Sequence, residues 1–230
     1  MSVKKGRKIV AVMLVVMMVL LYLPPGIFGG ITKVLARTKV HVNNGDTIDI
    51  SSAGKNTIYY IDDETASDNG TGTVSFKGSS TYVWLHIEVS SGKTVTVNLL
   101  DGLNIDPGSD SSYGTGKILD TLGYSRSAIY IDETSKSGGT VILKSAKNAR
   151  INLSSYRETF YYPVPAIMKN DTKTKLVFET EDVNNPGTII CKPKATGDGA
   201  VAIGAFGHGL LGIATSSYKV GNIDFHSGNI

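Results

Sequence analysis

Ser127-Ala128-Ile129-Tyr130-Ile131, Pro165-Ala166-Ile167 and Ala200-Val201-Ala202-Ile203 repeat one Ala-Ile pair, at steps of 38 and then 36 residues. A second β-prone run follows each pair, at Val141 to Leu143, Leu176 to Phe178 and Leu210 to Ile213. A third comes after it, at Ile151 to Leu153, Ile189 to Ile190 and Ile223 to Phe225. Each run is rich in branched or aromatic residues and bounded by Gly, Asn, Asp or Ser, the signature of a short strand. Three strands per step describe a solenoid: one coil cannot bury its own inward side chains, but stacked coils merge them into one column. The pattern predicts an all-β chain, a right-handed parallel β-helix with three-strand coils of about 36 residues. A β-sandwich is the competing architecture, because its frequent turn signals look similar.

Working towards the amino end, Ile58-Tyr59-Tyr60-Ile61-Asp62-Asp63-Glu64-Thr65 matches Ile129-Tyr130-Ile131-Asp132-Glu133-Thr134. Ile61 and Ile131 lie 70 residues apart, close to two steps, and Gly72-Thr73-Val74 and Gly139-Thr140-Val141 lie 67 apart. Small residues at Ala128, Ala166, Ala200 and Ala202 suit coil corners, and Gly or Asn supplies left-handed bends. Between residues 38 and 126 the pattern does not fix which strand faces which way. After residue 40 no run of good helix formers holds a 3.6-residue period over three turns.

Ahead of the body, Lys4, Lys5, Arg7 and Lys8 precede an apolar run from Ile9 to Leu23, closed by Pro24 and Pro25. Basic residues, a 15-residue apolar core and then proline are the order of a secretory signal, and the run is short for a spanning helix. Residues 1–36 therefore read as a signal peptide cleaved after Ala36 or, uncleaved, as an amino-terminal membrane anchor. Residues 37–230 read as the β-helix domain, placed outside the cytoplasmic membrane, either secreted or at the cell surface. That domain is expected to lack a carboxyl-terminal cap and to associate edge to edge at its last coil.

The formal charge of +3 and the pI of about 8.8 come from the leader, which holds five of the 23 basic residues and no acidic one. The remaining 18 basic residues face 20 acidic ones. Nucleic-acid binding, which needs clustered Lys and Arg, loses its support. A single cysteine excludes an intramolecular disulfide framework and a cysteine-based zinc cage.

Thr94-Val95-Thr96-Val97-Asn98-Leu99-Leu100-Asp101-Gly102-Leu103-Asn104-Ile105 resembles the strand pair that opens a coil in a family of secreted β-helix proteins. These belong to clostridial-type bacteria and are described as carbohydrate-binding domain proteins. The resemblance runs on through Ser127 to Ile131, Thr140 to Lys144 and Pro165 to Ile167. It is strongest at Gly199-Ala200-Val201-Ala202-Ile203-Gly204, Gly221-Asn222-Ile223-Asp224-Phe225 and Ser227-Gly228-Asn229-Ile230. Ala205 and Asn229 depart from it, standing where the family usually has glycine. It covers roughly residues 90 to 230. It implies an exported, often multidomain protein that binds a polysaccharide or cell-surface glycan.

The candidate chemistry is consistent with binding rather than catalysis. No Gly-x-Ser-x-Gly elbow, His-Glu-x-x-His or phosphate-cradling loop is present. His41, His86, His208 and His226 are widely spaced in sequence, and Cys191 reads as a packed thiol. The segment Ser154 to Pro165 interrupts the repeat and concentrates Tyr156, Arg157, Tyr161 and Tyr162, which can stack on sugar rings or hydrogen-bond their hydroxyls. Trp84 alternates with Val83 and Leu85 in Tyr82 to Ile87, so with the apolar set inward Trp84 and His86 face solvent, and Trp84 joins the candidate sugar platform.

Three carboxylate groups are candidates for calcium: Asp62, Asp63 and Glu64; Asp132 and Glu133; and Asp101, Asp106 and Asp110. Other than calcium no cofactor is expected, and contact with the membrane is expected only through the leader. The leading expectation is thus a non-catalytic polysaccharide-binding module. A structural or adhesive surface solenoid and a polysaccharide lyase acting on acidic glycans are the alternatives.

Overall fold

The computed structural model describes residues 38–54, 57–108, 127–131, 137–155, 165–169, 172–192, 203–204, 208–210, 213–216 and 223–228. The leader, residues 1–36, lies outside this set. Strands are numbered in chain order. The first sheet holds β1 (Thr38–His41), β3 (Thr57–Ile61), β6 (Val83–Ile87), β9 (Ile129–Ile131), β12 (Ile167–Lys169) and β15 (Ile203–Gly204), neighbours in that order. The second runs β2 (Thr47–Asp49), β4 (Thr71–Lys77), β7 (Thr94–Leu99), β10 (Thr140–Ser145), β13 (Lys175–Thr180) and β18 (Ile223–Phe225). The third runs β5 (Ser79–Thr81), β8 (Asn104–Asp106), β11 (Arg150–Ser154) and β14 (Thr188–Lys192).

All neighbours within these three sheets pair parallel. The chain visits the sheets in rotation, which is the cycle of a parallel β-helix. The described exception is an antiparallel hairpin of β16 (His208–Leu210) and β17 (Ile213–Ser216).

The Ala-Ile phase is the register of the first sheet, where Ile129, Ile167 and Ile203 stand opposite one another. Coil length is less regular than coil content. Thr57 faces Val83, 26 residues on, whereas Leu85 faces Ile129, 44 on. The 70-residue offset from Ile61 to Ile131 therefore spans two unequal coils, with Ile87 between them. The Gly-Thr-Val match is not a match of register. Val141 faces Val95 and, through it, Gly72; Val74 belongs to the row of Leu143. Strand count per coil is what stacking fixes, and the corners absorb the rest.

Corners are tight where the chain is short. Gly78 alone joins β4 to β5 at φ +88°, and a Cβ there would strike the Asp49 carboxylate and the Ser51 hydroxyl. At the corner from β10 to β11, Asn148 adopts φ +54°, which its short polar side chain tolerates. Tyr82 alone joins β5 to β6 at φ +63°.

The core is a column of rows, one residue per coil. Val74, Val97, Leu143 and Phe178 form one row of the second sheet, all buried, and the Phe178 ring stacks on Phe225 at 4.9 Å. Ile61, Ile87 and Ile131 form another, continued by Lys169, which is fully buried. Across the column, Tyr59 meets Phe76 edge to face at 5.7 Å.

Leu99 has no solvent exposure and stands between Phe76 and Ser145 in register. Leu99→Ala removes apolar volume from a row that parallel pairing prevents from closing. Urea unfolding is expected to show a loss of about 2–5 kcal/mol. A change well under 1 kcal/mol would show that this row is not close-packed.

Candidate functional site

The two faces of the helix differ sharply in chemistry. Strands of the second sheet alternate buried and half-buried residues, as a sheet with one wet face does. The first sheet is buried on both faces: every residue of β6, β9 and β12 is buried. This overturns the expectation of an exposed Trp84 and a solvent-facing His86. Both do point away from the column, yet Trp84 retains 7% of its exposure and His86 2%. Trp84 belongs to an apolar cluster on the outward side of the sheet. Ile58 stands in register with Trp84 and packs on it with Tyr60 beside them. Trp84 therefore offers no open ring face for a sugar.

His86 is the centre of this outer layer. The Tyr60 ring stacks on it at 4.4 Å, and Tyr130 meets it edge-on at 5.1 Å from the other side. Its Nε2 lies 3.0 Å from Oε1 of Glu88, also buried. Parallel register makes this possible, because Tyr60, His86 and Tyr130 are one row. A signal for it stands in the sequence: Thr57 to Ile61 and Ala128 to Ile131 are continuous apolar runs rather than alternating ones, and continuous runs mark strands covered on both sides.

At the start of the same row, His41 of β1 faces Tyr60. Its Nε2 lies 2.9 Å from Oδ1 of Asp62 and 3.6 Å from Oε2 of Glu64, in the turn that follows β3. Side-chain exposure rises from 15% at Asp62 through 35% at His41 to 77% at Glu64, so this cluster reaches solvent. Asp62 Oδ1 also accepts the Glu64 backbone N–H at 2.8 Å. His41 and Asp62 are 21 residues apart and meet because the first coil is short.

The stacked-carboxylate route to calcium is not assembled by the described residues. Asp63 turns away and accepts from the Ser90 backbone at 2.8 Å and the Ser90 hydroxyl at 2.7 Å. Asp101 accepts from the Arg150 N–H at 2.8 Å, and Asp106 from the Gly108 N–H at 2.9 Å. Asp106 thus closes its own turn, as aspartate commonly does, whereas Asp63 and Asp101 tie one coil to the next. Asp110, Asp132 and Glu133 lie outside the described residues, as do Tyr156, Arg157, Tyr161 and Tyr162.

The outer face of the second sheet carries a lattice of polar rows, broken along its middle row, where Thr73 and Thr96 give way to half-buried Ile142 and buried Val177. Thr71, Thr94, Thr140 and Lys175 form one row; Ser75, Asn98, Lys144 and Glu179 form another. Asn98 Nδ2 donates to Ser75 Oγ at 3.3 Å. In the third sheet Asn104 Nδ2 donates to Ser79 Oγ at 3.0 Å, continuing the same habit. Neighbouring rungs are about 4.8 Å apart, the strand spacing of any sheet.

Two groups have well-displaced protonation equilibria. Asp182, in the turn after β13, accepts from Asn185 Nδ2 at 3.0 Å and Asn184 N–H at 2.9 Å, and pairs with Lys147 at 3.2 Å. Those hydrogen bonds, that from Asn185 foremost, hold its carboxyl down to about 2. A depressed folded-state value stabilises the fold above the ordinary carboxylate range and is lost as pH falls through about 2. A carbon-detected titration should place the Asp182 midpoint near 2; a midpoint near 4 would show that the turn hydrogen bonds do not form.

Burial pushes the Cys191 thiol up to about 11. It packs against the core in register with Leu153, the place of a packed thiol. At pH 7.5 native chain should alkylate with iodoacetamide far more slowly than urea-unfolded chain. Equal rates would make Cys191 a reactive surface thiol.

No family model, curated protein or solved structure matches the chain.

Proposed function

We propose that the chain is an exported β-helix module that binds polysaccharide without transforming it, secreted or displayed at the cell surface. The observation that carries the reading is the polar lattice of the second sheet. A polysaccharide is a periodic ligand, with hydroxyls repeated along a chain. Hydroxyl, amide, ammonium and carboxylate groups repeated from rung to rung can meet such a ligand at several points at once. Asn98 and Lys144 are adjacent rungs of one row, and both are half-buried. The basic and apolar leader supports export. The coil motifs shared with carbohydrate-binding β-helix proteins of clostridial-type bacteria support a glycan as the ligand class.

A glycan array probed with the full-length chain in mild detergent tests the reading. Binding to one polysaccharide class is expected, weakened at least tenfold, which is about 1.4 kcal/mol, in an Asn98→Ala, Lys144→Ala double variant whose melting temperature is unchanged. Tyr161→Ala, read in parallel, separates the lattice from the aromatic segment. No retained glycan, or shortened products bearing new unsaturated ends, would overturn a non-catalytic binding module. Binding untouched by the double variant but lost in Tyr161→Ala would move the site to the aromatic segment.

A further inference from the structure

We propose that His41, Asp62 and Glu64 bind a divalent transition-metal ion of the zinc class, clamping the first strand of the solenoid to the turn of the next coil. Nε2 of His41, one carboxylate oxygen of Asp62 and one of Glu64 lie within 4.8 Å of one another. Around a tetrahedral zinc with bonds of about 2.0–2.2 Å, ligand atoms stand roughly 3.3–3.6 Å apart. The separation of His41 and Glu64, 3.6 Å, already has that value. His41 and Asp62, at 2.9 Å, need to open by only about half an ångström, and the exposed Glu64 side chain can follow.

The donor set selects the ion. Calcium seeks about six to eight oxygens, whereas one imidazole nitrogen with two carboxylates suits zinc and its neighbours. Three protein ligands leave a fourth position for water or a ligand oxygen, the arrangement of open zinc sites.

The surroundings hold two of the three ligands in place. Asp62 Oδ1 is fixed by the Glu64 N–H at 2.8 Å, and the Asp62 N–H donates to Thr65 Oγ1 at 3.1 Å. Buried Thr65 in turn donates its hydroxyl to the Val42 carbonyl at 2.7 Å, one residue beyond His41. The turn is thereby tied to the strand that carries the imidazole, so the ligands belong to one rigid frame although they come from two coils. Outer hydrogen bonds of this kind orient metal ligands.

The test is calorimetric titration of zinc chloride into untagged full-length chain stripped with a chelator. One ion per chain is expected, with a dissociation constant in the micromolar range or tighter. Glu64→Gln, on an exposed side chain that the fold does not need, should weaken binding at least tenfold, a change typical when a metal site loses a supporting group. His41→Ala should remove it, and the His41 imidazole nitrogen signals should shift with zinc in the unaltered chain. His226→Ala is the control, because His226 sits 3.3 Å from Glu179 in the last coil and should leave the titration unchanged. No heat up to about 1 mM zinc, or tighter binding of calcium than of zinc, would overturn the proposal, since an imidazole site prefers zinc. So would a titration that Glu64→Gln leaves unaltered or that His226→Ala abolishes.

Discussion

Every distinctive feature of this protein rests on main-chain pairing between parallel strands one coil apart. In a parallel ladder each residue has a partner directly above and below it, so identical or similar side chains are stacked rather than alternated between faces. A residue's environment is set by its row as much as by its neighbours in sequence. Ile61, Ile87 and Ile131 are inward because the row is inward, and Tyr60, His86 and Tyr130 are together for the same reason. Lys169 shows the strength of the constraint: register carries it into an inward row and full burial, although lysine is seldom buried.

Rows also explain why the two large sheets differ so much outside the column. In the second sheet two outward rows are Thr, Ser, Asn, Lys and Glu, and the row between them passes from Thr73 and Thr96 to Ile142 and Val177. In the first the outward rows are Ile58 with Trp84, and Tyr60, His86 and Tyr130, whose apolar and aromatic members gain when removed from water. Burying His86 and Glu88 costs solvation, and their contact at 3.0 Å offsets part of that cost. A periodic polar face and a periodic aromatic layer are thus two outcomes of one rule applied to different side chains.

Much of the fold was legible in the sequence because the inward rows are apolar in nearly every coil, Lys169 and Ser145 being departures. The Ala-Ile phase at residues 128, 166 and 202 is the register of the first sheet, and Cys191 lies where a packed thiol belongs. The early coils were harder to read. Their steps are unequal, from Thr71 to Thr94 and then from Thr94 to Thr140, so matching the two Gly-Thr-Val motifs misplaces Val74 against Val141 by two residues. Trp84 departs from its sequence pattern for a different reason. Alternation correctly gives its direction but says nothing of what lies beyond the sheet, and only the continuous apolar run carries that information. The His41 cluster depends on a contact across 21 residues set by one coil's length, which no local spacing rule encodes.

Much of the difference in coil length arises at one corner, although residues 205–222, between β15 and β18, form a further long connection at the next. From the third sheet to the first, the chain needs a single residue, Tyr82, between β5 and β6. At the same corner it spends residues 107–128 between β8 and β9, 155–166 between β11 and β12, and 193–202 between β14 and β15. Parallel pairing tolerates this because only the strands are in register; a longer corner costs loop entropy that grows slowly with length. The segment with Tyr156, Arg157, Tyr161 and Tyr162 is one of these insertions, and all of them enter the sheet that is buried on both faces. The second sheet receives no insertion from that corner, so the row of Thr71, Thr94 and Thr140 and the row of Ser75, Asn98 and Lys144 run across β4, β7 and β10 on either side of a middle row that turns apolar at Ile142. Register within the strands and freedom at the corners are thus separate properties of one coil, and pairing fixes only the first.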